Sequence, residues 1–163
     1  YSHALVSLGT LRLSSRRCRD VATATQYRRV LEAIRADVQA QAGLGFAFEE
    51  RLCRAVSRAR TKTAGVAADV AVGVDVLQEL GLRVSMSFSA HRWIGSALRT
   101  PSFGAADATG LARGLAAWRR LREVRASLHA ASARASGTCC GMEKAERRAW
   151  EEVREVLLDI EEE

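Results

Sequence analysis

The sequence predicts an all-α protein, a compact bundle of five to seven helices in a single domain over residues 1–163. Apolar side chains recur at the three- and four-residue spacing of amphipathic helices along most of the chain. Proline occurs only once, at Pro101, and alanine is abundant, which favours helix over strand. With 48% hydrophobic and 27% charged residues, the composition is typical of a globular protein rather than a disordered chain.

The N-terminal segment 1–19 is basic and has two competing interpretations. Leu5, Leu8 and Leu11 follow a helical spacing, whereas residues 10–14 fit a short strand. No acidic residue precedes Asp20, and this arginine- and serine-containing composition is similar to that of an organelle transit peptide. The segment is expected either to add a helix to the bundle or to contribute one strand of a minor ribbon.

The clearest helix is expected after Asp20, which suits an N-cap because its carboxylate can accept backbone N–H groups. Gly43 and Gly45 provide the helix stop. Between them, five apolar residues share one face of the predicted helix: Tyr27, Val30, Leu31, Ile34 and Val38.

A second helix is expected from Phe46 to about Arg60. Glu49 and Glu50 lie in its first turn, where the helix dipole favours acidic groups. The Cys53 side chain is expected to pack in the core, as unpaired cysteines often do. The predicted buried stripe consists of Phe48, Leu52, Cys53 and Val56.

The middle of the chain fits both helix and strand. Residues 66–80 are interpreted as a helix, although their alternating valines also suit a strand. Residues 82–89 alternate apolar with polar side chains and fit a strand as well as the start of a helix. As a strand, they would pair with residues 10–14 in a minor two-stranded ribbon.

Two further helices are expected around Pro101. A short helix over 93–98 stops before this proline, because the residue preceding a proline avoids helical geometry. Asp107 or Thr109 then caps a long helix that runs to about Ala133. The apolar stripe of this long helix contains Leu111, Leu115, Trp118, Leu121, Val124 and Leu128.

The last part of the chain is expected to be a loop followed by a helix. Residues 134–141 contain glycine, serine and two adjacent cysteines, a composition typical of a flexible loop. The final helix is expected to begin near Met142. Its apolar positions are Ala145, Ala149, Val153, Val156, Leu157 and Ile160.

No pattern in the sequence indicates catalysis, a cofactor or a metal site. His3, His91 and His129 fall in three separate segments, and no nucleophile, phosphate-loop or dinucleotide motif is present. The cysteines lack the C-x-x-C spacing of zinc and redox sites, while the adjacent Cys139 and Cys140 leave a redox role open. We therefore expect a protein that is not an enzyme and binds no cofactor.

Cysteine content and hydropathy indicate the compartment. Four cysteines in a chain of 163 residues are typical of a reducing intracellular compartment, either the cytoplasm or an organelle matrix. No apolar run reaches the ~18–20 residues that a transmembrane helix needs. The protein is therefore not expected to be an integral membrane protein.

Arginine supplies nearly all of the positive charge in a chain of net charge +6, because Lys62 and Lys144 are the only lysines. Guanidinium groups bind phosphate and carboxylate bidentately, which makes arginine-rich helix faces candidates for contact with acidic partners. The codon preference of a GC-rich genome and the ordinary solvation of helix faces explain the same pattern. The candidate interaction surface contains Arg51, Arg54 and Arg58 on the second helix, and Arg113, Arg119, Arg120, Arg122 and Arg125 on the long helix.

Three short matches resemble the Bcl-2-type survival regulators. They are Ala36-Asp37 in a BH3-like helix, Gly81-Leu82-Arg83 at the family's Asn-Trp-Gly-Arg motif, and Trp150-Glu151 near the C-terminus. The chain departs from the family at Glu32, where the BH3 signature has leucine, and the Asn-Trp pair is missing. The resemblance implies a compact helical regulator.

These observations predict a non-catalytic helical interaction or assembly module. It would be a subunit or adaptor that docks onto other proteins through apolar helix faces and arginine-rich surfaces, within an oligomer or a larger complex. The alternative is a small basic RNA-associated subunit of a ribonucleoprotein particle, and a divergent Bcl-2-like regulator is the third hypothesis. Binding to generic RNA over a salt series separates the first two, because phosphate contacts weaken steeply with salt.

Overall fold

The protein has an α+β fold, and the prediction of an all-α bundle of five to seven helices is wrong. The structure is a computed structural model that describes residues 1–66, 75–89, 97–134, 148 and 151–158. In chain order its elements are β1 (Leu5–Leu8), β2 (Leu11–Ser14), α1 (Val21–Ala40), a 3-10 helix (Gln41–Leu44), α2 (Phe48–Val66), α3 (Val76–Leu80), β3 (Arg83–Ser89), β4 (Ala97–Arg99), β5 (Phe103–Gly104) and α4 (Ala108–Arg134). Residues 151–158 are also helical.

The strands form one antiparallel sheet in the order β1-β2-β3-β4, with β5 also paired to β3. A two-residue turn joins β1 to β2, since Leu8 is the partner of Leu11. The first turn residue, Gly9, has a φ of 66°, a backbone geometry that glycine adopts at little cost. The segment 1–19 therefore contains two strands of the sheet and adds no helix to the fold.

The pairing expected between residues 10–14 and 82–89 is present, with Leu13 opposite Val84. It is not a minor ribbon, because β1 flanks it on one side and β4 and β5 flank it on the other. In both central strands, burial alternates from residue to residue, as it does when one face of a sheet covers a core and the other meets solvent. The pairing of β3 with strands on both sides explains why residues 82–89 form a strand and not the start of a helix.

A β-bulge separates β4 from β5. Arg99 pairs with Ser87 and Phe103 pairs with Val84. The segment from β4 to β5 therefore advances four residues while β3 advances three. The extra residue lies beside Pro101, which has no N–H to donate and is suited to a bulge. The short helix predicted over 93–98 is wrong where the structure describes it, because residues 97 and 98 belong to β4; residues 93–96 lie outside the described ranges.

Helix α1 confirms the clearest sequence prediction. The Asp20 side chain accepts hydrogen bonds from the backbone N–H groups of Ala22 and Thr23, at 3.2 and 2.8 Å. The 3-10 helix after α1 ends at Gly45, whose φ is 76°. The buried residues of the helix are Tyr27, Leu31, Ile34 and Val38, and Val30 is half-buried.

Helix α2 begins two residues later and ends later than predicted, and its buried stripe differs at Phe48, which is half-buried, and at Cys53. Leu52 and Val56 are buried as expected, and Ala55 completes the stripe. The prediction that Cys53 packs in the core is wrong, because the residue is exposed. Each helical residue advances by about 100° around the axis, so a stripe over positions 52, 55 and 56 leaves position 53 at its side.

The remaining helices begin at acidic caps. Asp75 precedes α3 and accepts a hydrogen bond from the Leu77 N–H at 2.9 Å, and Asp107 accepts one from the Gly110 N–H at 2.7 Å. The long helix predicted from Asp107 is thus confirmed as α4. Residues 67–74, most of the helix predicted over 66–80, lie outside the described ranges, as do residues 135–147 of the predicted loop and final helix start.

The chain divides into two compact units, Tyr1–Gly114 and Leu115–Glu163. The first contains the sheet and α1 to α3, with α1 in contact with both α2 and β1. In the described ranges, no helix has the length and apolarity that crossing a bilayer requires. The core of the first unit includes Leu11, Leu13, Leu31, Ile34, Leu52, Leu77, Leu80, Leu82 and Val84, and buried residues of the second include Trp118, Leu121, Val124, Val153 and Val156.

Candidate anion-binding face of the sheet

The two faces of the sheet differ in chemistry. Residues of the inward face are apolar and buried, as Val6, Leu13 and Val84 show. Antiparallel partners point to the same face, so the register assigns the outward positions directly. The nine described outward positions are Leu5, Ser7, Arg12, Ser14, Arg83, Ser85, Ser87, Arg99 and Gly104, hereafter the arginine–serine face; all are exposed or half-buried.

Every arginine of this face has a serine as its direct cross-strand partner. Arg12 lies between Ser7 on β1 and Ser85 on β3. The two other arginines repeat the arrangement, since Arg83 is opposite Ser14 and Arg99 is opposite Ser87. Guanidinium and hydroxyl groups both donate hydrogen bonds, so each pair presents adjacent donors to solvent.

The arginine–serine face has positive charge that the described part of the protein does not neutralise. None of its nine positions is acidic. Within the described ranges, no carboxylate forms an ion pair with Arg12, Arg83 or Arg99. Because unpaired guanidinium groups attract anions, this face has the properties of an anion-binding surface.

The predicted interaction residues of α2 are bound to other groups of the protein. Arg54 lies 2.7 Å from the Glu50 carboxylate, and its guanidinium is 3.9 Å from the centre of the Phe46 ring. Arg58 lies 2.9 Å from the Asp37 carboxylate. These two arginines therefore stabilise the α1–α2 region and are partly neutralised for binding outside partners.

Arg51 lies at the contact between α1 and α2. Its guanidinium donates a hydrogen bond to the carbonyl of Val38 at 3.4 Å, near the end of α1, and lies 5.8 Å from the centre of the Phe48 ring. Cations close to a helix C-terminus stabilise the carbonyl groups that have no partner inside the helix. Arg51 thus contributes to the contact between α1 and α2.

The five predicted arginines of α4 all have interaction partners. Arg122 lies 5.3 Å from the centre of the Trp118 ring, and the other four also have interaction partners. Within the second unit, a cleft of about 470 Å³ contains Arg120 together with three glutamates. The residues lining this cleft are Arg120, Glu123, Val124, Ser127, Glu152, Glu155 and Val156. Carboxylates beside Arg120 make the cleft a poor site for an anion.

Arg12, Arg83 and Arg99 were not predicted from the sequence as a group. The signal was the alternation of arginine or serine with apolar residues in Leu11–Ser14 and in Arg83–Ser89. Alternation shows that such side chains share a face of one strand, but it does not show which strands are neighbours. The cluster becomes visible only with the register of β2, β3 and β4.

The described cysteines and histidine do not form a reactive site. Partial burial raises the pKa of the Cys53 thiol, and the negative charge of Glu49 raises it further, which keeps this thiol protonated and weakly nucleophilic at neutral pH. The Cys18 thiol lies 3.4 Å from the Ser2 carbonyl oxygen, and His3 is exposed. Over the described ranges, no three histidine, cysteine, aspartate or glutamate residues are placed to hold a metal ion. The side chains of His91, His129, Cys139 and Cys140 lie outside the described set.

Comparisons with known proteins leave the fold without an assigned relative. No protein-family model, no curated protein and no solved structure matches the chain. The resemblance to Bcl-2-type regulators implied a helical fold, whereas Gly81 and Leu82 lead into strand β3, which Arg83 begins. The function must therefore be inferred from the surface itself.

Proposed function

We propose that this protein is a non-catalytic binding module that docks an anionic macromolecule onto the arginine–serine face. The observation that supports the proposal is the cross-strand pairing of each arginine with a serine on a face whose nine described positions include no acidic residue. Three guanidinium groups that have no carboxylate partner among the described residues raise the local concentration of anions and give binding that weakens with salt.

Docking through apolar helix faces has less support. The apolar stripes of α1 and α2, and the described stripe of α4, are largely buried within the protein itself. In the described ranges, the exposed large hydrophobic residues are scattered over separate elements and form no helix face: Tyr1, Leu5, Val21, Leu44 and Leu158. An anionic partner on the sheet therefore replaces an apolar partner on the helices as the preferred hypothesis.

The proposal can be tested with heparin, a generic polyanion. Elution from heparin resin in a salt gradient is compared for the wild type, the sheet variant R12Q/R83Q/R99Q and the helix variant R119Q/R120Q/R122Q. Both variants remove three positive charges from a net charge of +6, so they are matched in overall charge. Circular dichroism and a thermal melt establish that each variant remains folded.

The sheet variant is expected to elute at clearly lower salt than the wild type, while the helix variant elutes close to it. The proposal is wrong if the sheet variant elutes with the wild type. It is also wrong if the helix variant shows the larger loss, because the arginines of α4 would then hold the anion.

A further inference from the structure

We infer that the macromolecule docked on the arginine–serine face is a single-stranded nucleic acid, held by its phosphodiester backbone without readout of its bases. This inference rests on the proposed function and names the class of its partner. Two features of the face support it, the donor set and the spacing of the donors, and the absence of aromatic residues from its nine described positions indicates contact with the backbone and not with the bases.

The donor set fits phosphate better than carboxylate. A carboxylate has two oxygens in one plane, and a guanidinium lying in that plane contacts both of them. A phosphodiester offers oxygens in a tetrahedral arrangement, so it can accept from a guanidinium and from a hydroxyl at its side. The pairs Arg12–Ser85, Arg83–Ser14 and Arg99–Ser87 each offer this combination. Arginine and serine side chains are both common donors to nucleic-acid phosphates.

The donors form a continuous track across four strands. Ser7, Arg12 and Ser85 lie in one cross-strand row, and Ser87 and Arg99 lie in the next row of outward positions. The distance from β1 to β4 is three inter-strand steps of about 4.8 Å each. The track is therefore roughly 14 Å long, enough for a few successive phosphates. A flexible single strand can follow the twist of such a sheet, whereas a rigid duplex presents a convex surface to it.

The described positions of the face carry no aromatic ring on which a base could stack. Sequence-tolerant binding of bases usually relies on aromatic rings on which the bases stack. None of the nine described outward positions is aromatic, because all nine are serine, arginine, leucine or glycine. Contacts are therefore expected to be with the backbone, which carries no sequence information.

The test measures the affinity for a labelled twelve-nucleotide oligouridine by fluorescence anisotropy, between about 50 and about 200 mM salt. Oligoadenosine of the same length, a duplex RNA of that length and a twelve-residue polyglutamate are the comparison probes. The sheet variant R12Q/R83Q/R99Q and the helix variant R119Q/R120Q/R122Q are measured with each probe.

Oligouridine is expected to bind with a log–log salt slope of about −2, since each of three neutralised phosphates contributes about −0.7 on single strands. This slope corresponds to a loss of affinity of about 20-fold over the fourfold rise in salt. Oligoadenosine is expected to bind within about threefold of oligouridine, and polyglutamate and duplex more weakly. For oligouridine, the sheet variant is expected to lose both the affinity and its dependence on salt, and the helix variant is expected to keep both.

The outcomes separate the inference from the proposed function. If polyglutamate binds as tightly as oligouridine and the sheet variant loses both, the phosphate inference is wrong and the anion-binding function stands. Tighter binding to duplex, or a strong preference for one base, likewise overturns the single-strand backbone inference alone. If the sheet variant binds every probe as the wild type does, the proposed function itself is wrong.

Discussion

Arg12 on β2 and Ser85 on β3 are direct cross-strand partners, and both side chains point away from the apolar core. The two residues are far apart in the sequence, so their proximity depends on the tertiary pairing of the strands. The face that we propose to bind anions therefore exists only when the N-terminal hairpin is in place.

The N-terminal hairpin contributes buried side chains to the core, and a substitution of Leu13 tests this contribution. Its side chain is 0% exposed in an interior strand, so Leu13→Ala removes buried apolar contacts and leaves a cavity. The free energy of unfolding is expected to fall by about 2–5 kcal/mol in urea denaturation. Leu5→Ala, in the same hairpin but 40% exposed, is the control and should change stability by less than about 0.5 kcal/mol. Equal effects of the two changes would show that the hairpin does not pack as described.

Gly110 lies where the start of α4 approaches β5. A Cβ at this position would overlap the carbonyl oxygen of Gly104, although alanine is otherwise the better helix former. Gly110→Ala is expected to lower the free energy of unfolding by about 1–3 kcal/mol because the backbone must move. Gly43→Ala is the control: a Cβ there meets open space, and the change should be neutral or stabilising by up to about 1 kcal/mol. Stabilisation by Gly110→Ala would contradict the close approach.

The N-cap of α1 gives a pH-dependent prediction. Hydrogen bonds from the Thr23 side chain and from the backbone of Thr23 and Ala22 lower the pKa of Asp20 below its usual value of 3.8. The stabilisation from this carboxylate is therefore present above pH 3.8 and is lost as the pH falls through the lowered pKa of the folded state. Asp20→Ala should be less stable than the wild type at neutral pH, and the difference should shrink under strong acid.

The control for this prediction is Asp20→Asn, because an asparagine side chain also accepts hydrogen bonds at an N-cap but does not titrate. Its stability relative to Asp20→Ala should be independent of pH in urea denaturation. A stability difference between the wild type and Asp20→Ala that stays constant down to strong acid would show that the carboxylate charge plays no part.

Arg60 joins α2 to two later segments. Its Nε lies 2.8 Å from the Asp75 carboxylate, and its terminal nitrogen donates a hydrogen bond to the Ala106 carbonyl. A double-mutant cycle with Arg60→Gln and Asp75→Asn is expected to give a coupling energy of about 1 kcal/mol in urea denaturation. The exposed helical pair Arg28–Glu32 is the control, with an expected coupling of about 0.3–0.5 kcal/mol. Absence of coupling at Arg60 and Asp75 would mean that the ion pair has no structural role.

Local features of the fold could be predicted from the sequence. The caps at Asp20 and Asp107 depend on residues two or three positions away, and the buried stripe of α1 depends on helical spacing alone. The sheet could not be predicted in this way. Residues 82–89 fit a helix as well as a strand, and only their pairing with β2, β4 and β5 decides between the two.

The residues of the candidate site were even harder to predict from the sequence than the sheet. Helical spacing placed Arg54 and Arg58 on an outer face, but it gave no account of the ion pair between Arg58 and Asp37, which joins two helices. Conversely, Arg12 and Arg99 have no relation in the sequence and lie on one face only because both strands flank β3. A surface that is assembled across strands requires the register before its residues can be grouped.

The most direct test of the anion-binding face is protection of individual arginines from phenylglyoxal, read by mass spectrometry with and without a heparin-derived oligosaccharide. We predict that Arg12, Arg83 and Arg99 react in the free protein and become several-fold slower when the oligosaccharide is bound, while Arg119 and Arg122 are unchanged. Protection of Arg119 and Arg122, with the three sheet arginines reacting as in the free protein, would contradict the account.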